Sequence, residues 1–151
     1  MIDKIDAKIL EIVQQDAHLS NVVLAERVGL TKTAVFERIR KMESAGIIQS
    51  YQAHLDPKKV GRGLLAFVFI RTEEPFGSQQ TGKLLARIPE VLEVHNIAGE
   101  DCYIVKVRVA DTDALSKLLR AKFGKIKAIR STRTTIALDT LKEDTFLPVE
   151  L

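Results

Sequence analysis

Donor-rich side chains are concentrated in one stretch near the start of the chain. Between Arg27 and Lys41 there are five basic residues against one acid, Glu37. Ammonium, guanidinium and hydroxyl groups are the donors with which proteins hold DNA phosphates, and arginine also reads base edges in the major groove. This stretch therefore predicts contacts to double-stranded DNA. The candidate residues are Thr31, Lys32, Thr33, Phe36, Arg38, Arg40 and Lys41.

A helix with one buried face is needed to present these side chains together. Val35, Ile39 and Met42 recur at i, i+4 and i+7, which predicts a buried stripe along that helix. Thr31 can cap its start, and Gly46 suits the left-handed turn after its end. Rotation by about 100° per residue places other side chains outward. These are Thr33, Phe36, Glu37, Arg40 and Lys41.

A shorter helix pattern that ends at Val28 and is followed by Gly29 precedes this outward-facing helix. Helix, glycine turn and helix with a basic outer face form the helix-turn-helix plan, whose second helix enters the major groove. An ordinary amphipathic hairpin with a solvated face is the simpler alternative. Glu37 either accepts a hydrogen bond from a cytosine amino group or pairs with Arg40 or Lys41 at helical spacing.

The flanking segments predict how this unit is bounded. A first helix over 3–16 supplies a third apolar stripe, and the strand-like segment 47–54 is either a wing or a lead into the next domain. Lysines and glycines between Pro57 and Gly63 indicate a linker. The expected division is a helix-turn-helix domain (1–54), a hinge (55–63), a second domain (64–140) and a C-terminal tail (141–151).

The second half of the chain alternates between strand and helix patterns. The predicted order from residue 64 is strand, helix, strand, strand, helix, strand, which is the ferredoxin-like βαββαβ arrangement. The fold class is therefore α+β. Two helices cover one face of such a sheet, and the partly apolar other face suggests burial against another subunit. The predicted segments are 64–70, 77–88, 91–98, 102–109, 111–123 and 126–138.

A glycine turn in the second domain suggests a small-ligand site. The turn 99–101 brings free backbone amides and a carboxylate together, which suits the carboxylate and ammonium groups of a free amino acid. Two threonines on the last strand share a face and offer hydroxyl groups. A histidine in the first hairpin strand either contacts the ligand or is simply exposed. The candidate ligand-binding residues are His95, Gly99, Glu100, Asp101, Thr132 and Thr134.

Composition and motifs exclude several other classes. The single cysteine, Cys102, rules out an internal disulfide and a cysteine-cluster metal site. The three histidines are scattered and no phosphate-binding loop is present, so we expect no catalysis, metal or cofactor. No apolar run reaches the about 20 residues that span a bilayer, and the N-terminus lacks a secretory pattern. A cytoplasmic, nucleoid-associated protein is therefore expected.

Three long segments of the sequence carry a family likeness. They are IDKIDAKILEIVQQDAHLS, LAERVGLTKTAVFERIRKMESAGIIQSYQAHLDPKKVG and PEVLEVHNIAGEDCYIVKVRVAD. Together they resemble the Lrp/AsnC (feast/famine) family of prokaryotic transcription regulators over essentially the whole chain, most specifically in VFERIRKMESAGII. The resemblance implies sequence-specific DNA binding and dimers built through the effector domains, often assembled into octamers around which DNA wraps. It also implies a small effector, usually an amino acid, bound where neighbouring effector domains meet.

One departure and two alternatives accompany this resemblance. Many family members have an aspartate three residues after the hairpin glycine, where this chain has Cys102, and Asp101 stands one position earlier. Seven basic residues and no acid lie between Lys117 and Arg133; most are expected to be solvated, and some would add a second DNA track if an octamer wraps DNA. The two-domain plan also resembles haem-pathway decarboxylases, and a module that regulates other proteins is a third hypothesis.

Overall fold

The computed structural model describes residues 2–75 and 77–149 and divides the chain into two compact units. The first unit combines the residues up to Ala53 with the segment that starts at Lys142, and the second runs from His54 to Leu141. The first unit is helical, and the second is built on a four-stranded sheet.

Three helices, each with a capped start, form the first unit. Asp3 and Asp6 make a reciprocal capping box at the first helix. The hydroxyls of Ser20 and Thr31 accept a backbone N–H at the second and third helices, at 3.4 and 3.2 Å. Gly29 turns the chain between them with a left-handed φ of 72°, which glycine adopts without steric cost. The helices are α1 (Lys4–Gln15), α2 (Asn21–Val28) and α3 (Lys32–Ser44).

Two small apolar clusters hold these helices together. Met42 packs with Ile9 and Leu10 of α1, and Val35 packs with Leu24 of α2. All five side chains are at least nine-tenths buried, and Ile39 is partly buried against both clusters. The stripe predicted for α3 is thereby confirmed, and it fixes which face of this helix points outward.

The strand expected over 47–54 is not formed, and no helix or strand lies between Ser44 and Leu64. Gly46 has a φ of 70°, and the N–H groups of Ile47 and Ile48 both donate to the carbonyl of Met42, at 2.9 and 3.3 Å. These bonds close the end of α3 as a Schellman-type turn. The two isoleucines therefore finish a helix, and Ile48 packs into the cluster around Met42.

Residues 142–149, which we call the C-terminal strap, return to the first unit. Gln14 of α1 donates through Nε2 to the carbonyl of Leu147 at 3.0 Å, and the N–H of Leu147 donates to Gln14 Oε1 at 2.8 Å. Val149 packs against the cluster around Ile9. The predicted division, which left 141–151 as a separate tail, differs from this arrangement; residues 150 and 151 lie outside the described residues.

The second unit is a ferredoxin-like domain, as the sequence predicted. Its strands form one antiparallel sheet in the order β2-β3-β1-β4, and its helices connect β1 to β2 and β3 to β4. The first of these helices is shorter than the predicted 77–88. The elements are β1 (Leu64–Thr72), α4 (Gln80–Leu85), β2 (Val91–Asn96), β3 (Tyr103–Val109), α5 (Thr112–Ala121), a 3-10 turn (Phe123–Lys125) and β4 (Ile129–Ile136).

The two faces of the sheet differ sharply. On the helix-covered face the side chains of β1 and β3 alternate into one core with Leu85 of α4 and Leu118 of α5. The opposite face, which we call the open face, carries Phe67 and Phe69 of β1 and Ile104 of β3, all partly exposed. Among the described residues, no helix of the second unit covers this face. The buried core strands contribute Ala66, Val68, Ile70, Tyr103, Val105, Val107 and Val109.

Candidate nucleic-acid interface and effector site

The outward face of α3 is the strongest candidate for a nucleic-acid interface. Its side chains are all exposed, and the Phe36 ring keeps 48% of its surface accessible. In the described residues, neither Arg40 nor Lys41 forms an ion pair, so both cations are free to meet phosphate or base edges. The exposed set is Thr33, Phe36, Glu37, Arg40 and Lys41.

The start of α3 adds backbone donors to this face. Thr31 Oγ1 accepts the N–H of Ala34, which leaves the N–H groups of Lys32 and Thr33 without an intrahelical acceptor. Together with the helix dipole, such amides favour a phosphate group. Lys32 and Thr33 are exposed there, as expected of residues that position a helix on DNA.

Arg38 departs from the expectation that it contacts DNA. Its Nη1 lies 2.7 Å from Asp3 Oδ2 and 2.7 Å from Asp6 Oδ1, so the guanidinium joins α3 to the capping box of α1. The two carboxylates raise the pKa of Arg38, and the N–H of Asp6 and then the guanidinium lower the pKa of Asp3. A cation held by two acids is a poor phosphate ligand, so this geometry favours a role for Arg38 in positioning α3.

The expected pairing of Glu37 with Arg40 or Lys41 is not formed in the part of the chain that the structure describes. Its carboxylate stays exposed on the outward face. A free carboxylate beside cations repels phosphate but can accept from a cytosine amino group. This geometry favours the base-reading role over the salt-bridge role for Glu37.

A groove beside α3 includes residues that sequence spacing did not single out. It has a volume of about 450 Å³ and is bordered by Phe36, Arg40, Glu43 and Tyr51. The Tyr51 hydroxyl donates to Glu43 at 2.9 Å, and burial together with this carboxylate raises the pKa of Tyr51 to about 12. Glu43 and Tyr51 are eight residues apart across an irregular segment, so no periodic pattern could have paired them.

The turn at 99–101 is clamped to the open face of the sheet by two arginines. Arg133 donates to Asp101 Oδ2 at 3.0 Å and stacks over the Phe69 ring, 4.1 Å from its centroid. Arg71 Nε donates to the carbonyl of Glu100 at 3.0 Å. The acid of this turn is therefore already paired with a cation, which the sequence did not indicate. Gly99 and Glu100 are exposed at its tip.

The remaining effector candidates do not converge within one chain. His95 lies on the edge strand β2, is 60% exposed, and has Nε2 3.3 Å from Glu93. Thr132 and Thr134 lie on the opposite edge strand, paired with Ile70 and Val68, and therefore share the helix-covered face. Two strands separate these edges, a distance of about 14 Å at strand spacing. Within one chain, His95 therefore does not share a pocket with the two threonines.

The described residues contain no group of three or more His, Cys, Asp or Glu side chains that could hold a metal ion. Their helices are too short or too polar to cross a membrane.

A helix-turn-helix unit joined to a ferredoxin-like unit defines a class of two-domain transcription regulators. The family model described as winged helix-turn-helix DNA-binding matches residues 2–49, and the one described as Lrp/AsnC ligand binding domain matches residues 65–147. The chain belongs to the Lrp/AsnC family. Residues 47–54 form no strand in this structure.

Relatives and solved structures agree over nearly the full length. The chain is 36% identical to the DNA-binding transcriptional activator DecR of Escherichia coli K12, over 99% of this chain and 100% of DecR. It is 34% identical to the leucine-responsive regulatory protein of the same strain, over 99% and 92% of the two chains. The feast or famine regulatory protein of M. tuberculosis, solved with L-methionine, superposes with a TM-score of 0.90 at 35% identity, covering 99% of this chain and all of that one.

Family membership decides between the functional hypotheses. The family and the relatives that match here are transcription regulators, so the chain is a regulator and not an enzyme. The decarboxylase-like alternative is thereby set aside. The match to a DNA-binding model across the first unit also weighs against a module that acts on other proteins only.

Proposed function

We propose that this regulator reads double-stranded DNA with the outward face of α3, as a homodimer whose DNA binding responds to an amino acid. The observation that carries the proposal is the unpaired, fully outward set of Phe36, Arg40 and Lys41 beside the free amides at the start of the same helix. Phe36 contacts a sugar or a thymine methyl, and Arg40 a base edge or phosphate.

Arg40→Ala tests the reading helix. If Arg40 reads a base, DNA affinity falls by about 1–3 kcal/mol and selectivity at that base relaxes; if it holds a phosphate, the loss is uniform and the salt slope falls by about one. The control is Lys8→Ala, which removes one exposed cation from α1 outside the proposed interface. Equal retardation of DNA by both variants would remove Arg40 from the interface.

The open face of the sheet supports the dimer. Phe67, Phe69 and Ile104 leave a partly exposed apolar surface, and a two-fold axis buries it against its own copy. Two recognition helices then read half-sites about 10 base pairs apart or a multiple of that. Phe67→Asp should give a monomer by light scattering at micromolar concentration, and Leu84→Asp on the outer side of α4 should not. The same measurement reports higher assembly, such as an octamer.

The ion pair of Asp101 and Arg133 supports an amino-acid effector. An amino acid carries one ammonium and one carboxylate group, which match the carboxylate and the guanidinium of this pair. Relatives solved with L-methionine bind a ligand of this chemistry. The exposed amides of Gly99 and Glu100 lie beside the pair. Because Arg133 and Asp101 already pair at 3.0 Å, the ligand must displace this ion pair. Its ammonium group then binds Asp101, and its carboxylate binds Arg133.

A thermal-shift screen of the free amino acids tests this site. A ligand present at 100 times its dissociation constant stabilises the protein by about 2.7 kcal/mol, which is visible as a higher Tm. Asp101→Ala and Arg133→Ala should abolish the shift. Glu73→Ala, which removes the partner of Arg130 in another exposed pair of the same domain, should preserve it. A shift that survives in Asp101→Ala would place the effector elsewhere.

A further inference from the structure

Charge is divided unevenly between the two units. The first unit, residues 1–53 and 142–151, holds eight basic and ten acidic residues, a net charge of −2. The second unit, residues 54–141, holds fifteen basic and ten acidic residues, a net charge of +5. These two values add to the +3 of the whole chain. The unit that carries the helix-turn-helix therefore has a net negative charge, and the ligand-binding unit has a net positive one.

Several cations of the second unit already form ion pairs with its acids. Glu93 takes Lys106, Glu90 takes Lys122, Glu73 takes Arg130 and Asp101 takes Arg133. Six exposed cations lie on or just after α4 and on or after α5, and their side chains form no ion pair or hydrogen bond with any described residue. They are Lys83, Arg87, Lys117, Arg120, Lys125 and Lys127, and we call them the basic helix layer.

The fold keeps the basic helix layer accessible. Leu85 of α4 and Leu115 and Leu118 of α5 are buried against the helix-covered face of the sheet, so both helices turn their charged sides to solvent. Lys117 and Arg120 border a shallow groove on α5 together with one acid, Asp113. The layer lies on the opposite side of the sheet from the open face. A dimer that buries the open face therefore leaves Lys83 of α4 and Lys117 and Arg120 of α5 exposed.

We propose that the basic helix layer binds the phosphate backbone of duplex DNA that flanks the site read by α3, an inference that rests on the proposed function. Duplex DNA carries one negative charge per about 1.7 Å of axis, and unpaired lysine and arginine side chains bind it by releasing its counterions. The six cations offer no arrangement for reading bases and act on any sequence. They supply the long-range attraction that the net negative helix-turn-helix unit lacks.

The test uses the full-length protein and a mixed-sequence duplex of about 60 base pairs, or about six helical turns. Lys117→Gln with Arg120→Gln removes two cations from the layer, and Lys58→Gln with Lys59→Gln removes two exposed cations from the turn before β1 as a charge-matched control. Circular dichroism and Tm confirm that both variants fold. The slope of log Kobs against log salt is measured for each protein.

The layer variant should lose about 1.8 from the magnitude of the salt slope, because each phosphate contact contributes about 0.9. Between about 50 and 200 mM salt, the affinity of the wild type should then fall about 12-fold more than that of the variant. The control should change by less than half as much. An unchanged slope, or an equal change in layer variant and control, would overturn the proposal.

The recognition helix separates this inference from the proposed function. Arg40→Ala alone tests α3, and it leaves the basic helix layer intact. Suppose that Arg40→Ala does not weaken DNA binding, while the layer variant shows the expected decrease in salt slope. The proposed role of α3 is then wrong, and the basic helix layer still binds DNA. If the layer variant binds DNA as the wild type does, while Arg40→Ala weakens binding, the layer inference is wrong and the proposed role of α3 stands. Polyglutamate serves as a competitor that mimics an acidic protein. If the layer binds duplex DNA, polyglutamate should displace the DNA only weakly. Strong displacement would indicate an acidic protein as the partner and overturn the proposal.

Discussion

Gln14→Leu should loosen the helix-turn-helix unit by releasing the C-terminal strap. The substitution keeps a strong helix former in α1 but removes both hydrogen bonds to Leu147, of 3.0 and 2.8 Å. A neutral hydrogen bond contributes about 0.5–1.5 kcal/mol, and both of these are solvent-exposed, so their sum is about 1–2 kcal/mol. Packing of Val149 against the Ile9 cluster is weakened with them.

Hydrogen exchange resolved by peptide is the appropriate assay, because it reports each unit separately. A loss of about 1–2 kcal/mol should lower amide protection in α1 by about 5- to 30-fold. Protection in β1 and β3 of the second unit should stay unchanged. Gln15→Leu is the matched control, since the side chain of this neighbouring glutamine is exposed and forms no hydrogen bond with a described residue. Equal protection in the two variants would refute the role assigned to the strap.

Three further predictions concern stability and specificity. Gly82→Ala should destabilise the second unit by about 1–3 kcal/mol in urea unfolding, because the new β-carbon would lie 2.8 Å from Cε1 of the buried Tyr103 ring. Lys122 lowers the pKa of Glu90, so this pair stabilises the fold at neutral pH and is lost as pH falls through the folded-state pKa; Lys122→Met should flatten that acid dependence of unfolding. Arg38→Met should lower the Tm yet leave the salt slope of DNA binding unchanged.

Each of these three predictions has a control variant or an outcome that would contradict it. Gly124→Ala meets its nearest atom at 3.5 Å, an ordinary contact, and should cost much less than Gly82→Ala. If Lys122→Met retains the full acid dependence of the wild type, other carboxylates control it. A salt slope that falls by about one in Arg38→Met would return this residue to the DNA interface.

Local periodicity predicted the recognition helix well because the apolar repeat and the helix that it describes both extend over a few consecutive turns. Val35, Ile39 and Met42 repeat within two helical turns, and their burial determines the outward face. The misassigned strand at 47–54 shows the limit of the same method. Ile47 and Ile48 are residue types that favour strands. Their N–H groups instead donate to the carbonyl of Met42, which is left without an intrahelical donor at the end of α3.

Pairings between distant residues were beyond the reach of sequence patterns. Arg38 looks like a DNA ligand by type and position, and only its distance of 2.7 Å from two carboxylates of α1 reveals its structural role. In the sequence Asp101 likewise looks like an unpaired acid, but the fold places Arg133 of the last strand beside it. The contact of Gln14 with Leu147 joins residues 133 positions apart and has no local signature.

The return of the strap makes the ligand-binding domain an insertion within the DNA-binding domain. During synthesis the three helices emerge first, then the whole sheet, and only afterwards the residues that bond to Gln14 and pack beside Ile9. Domains generally fold as they emerge, N-terminal first. In this chain the helix-turn-helix unit therefore obtains its C-terminal strap only after the ligand-binding unit has been synthesised.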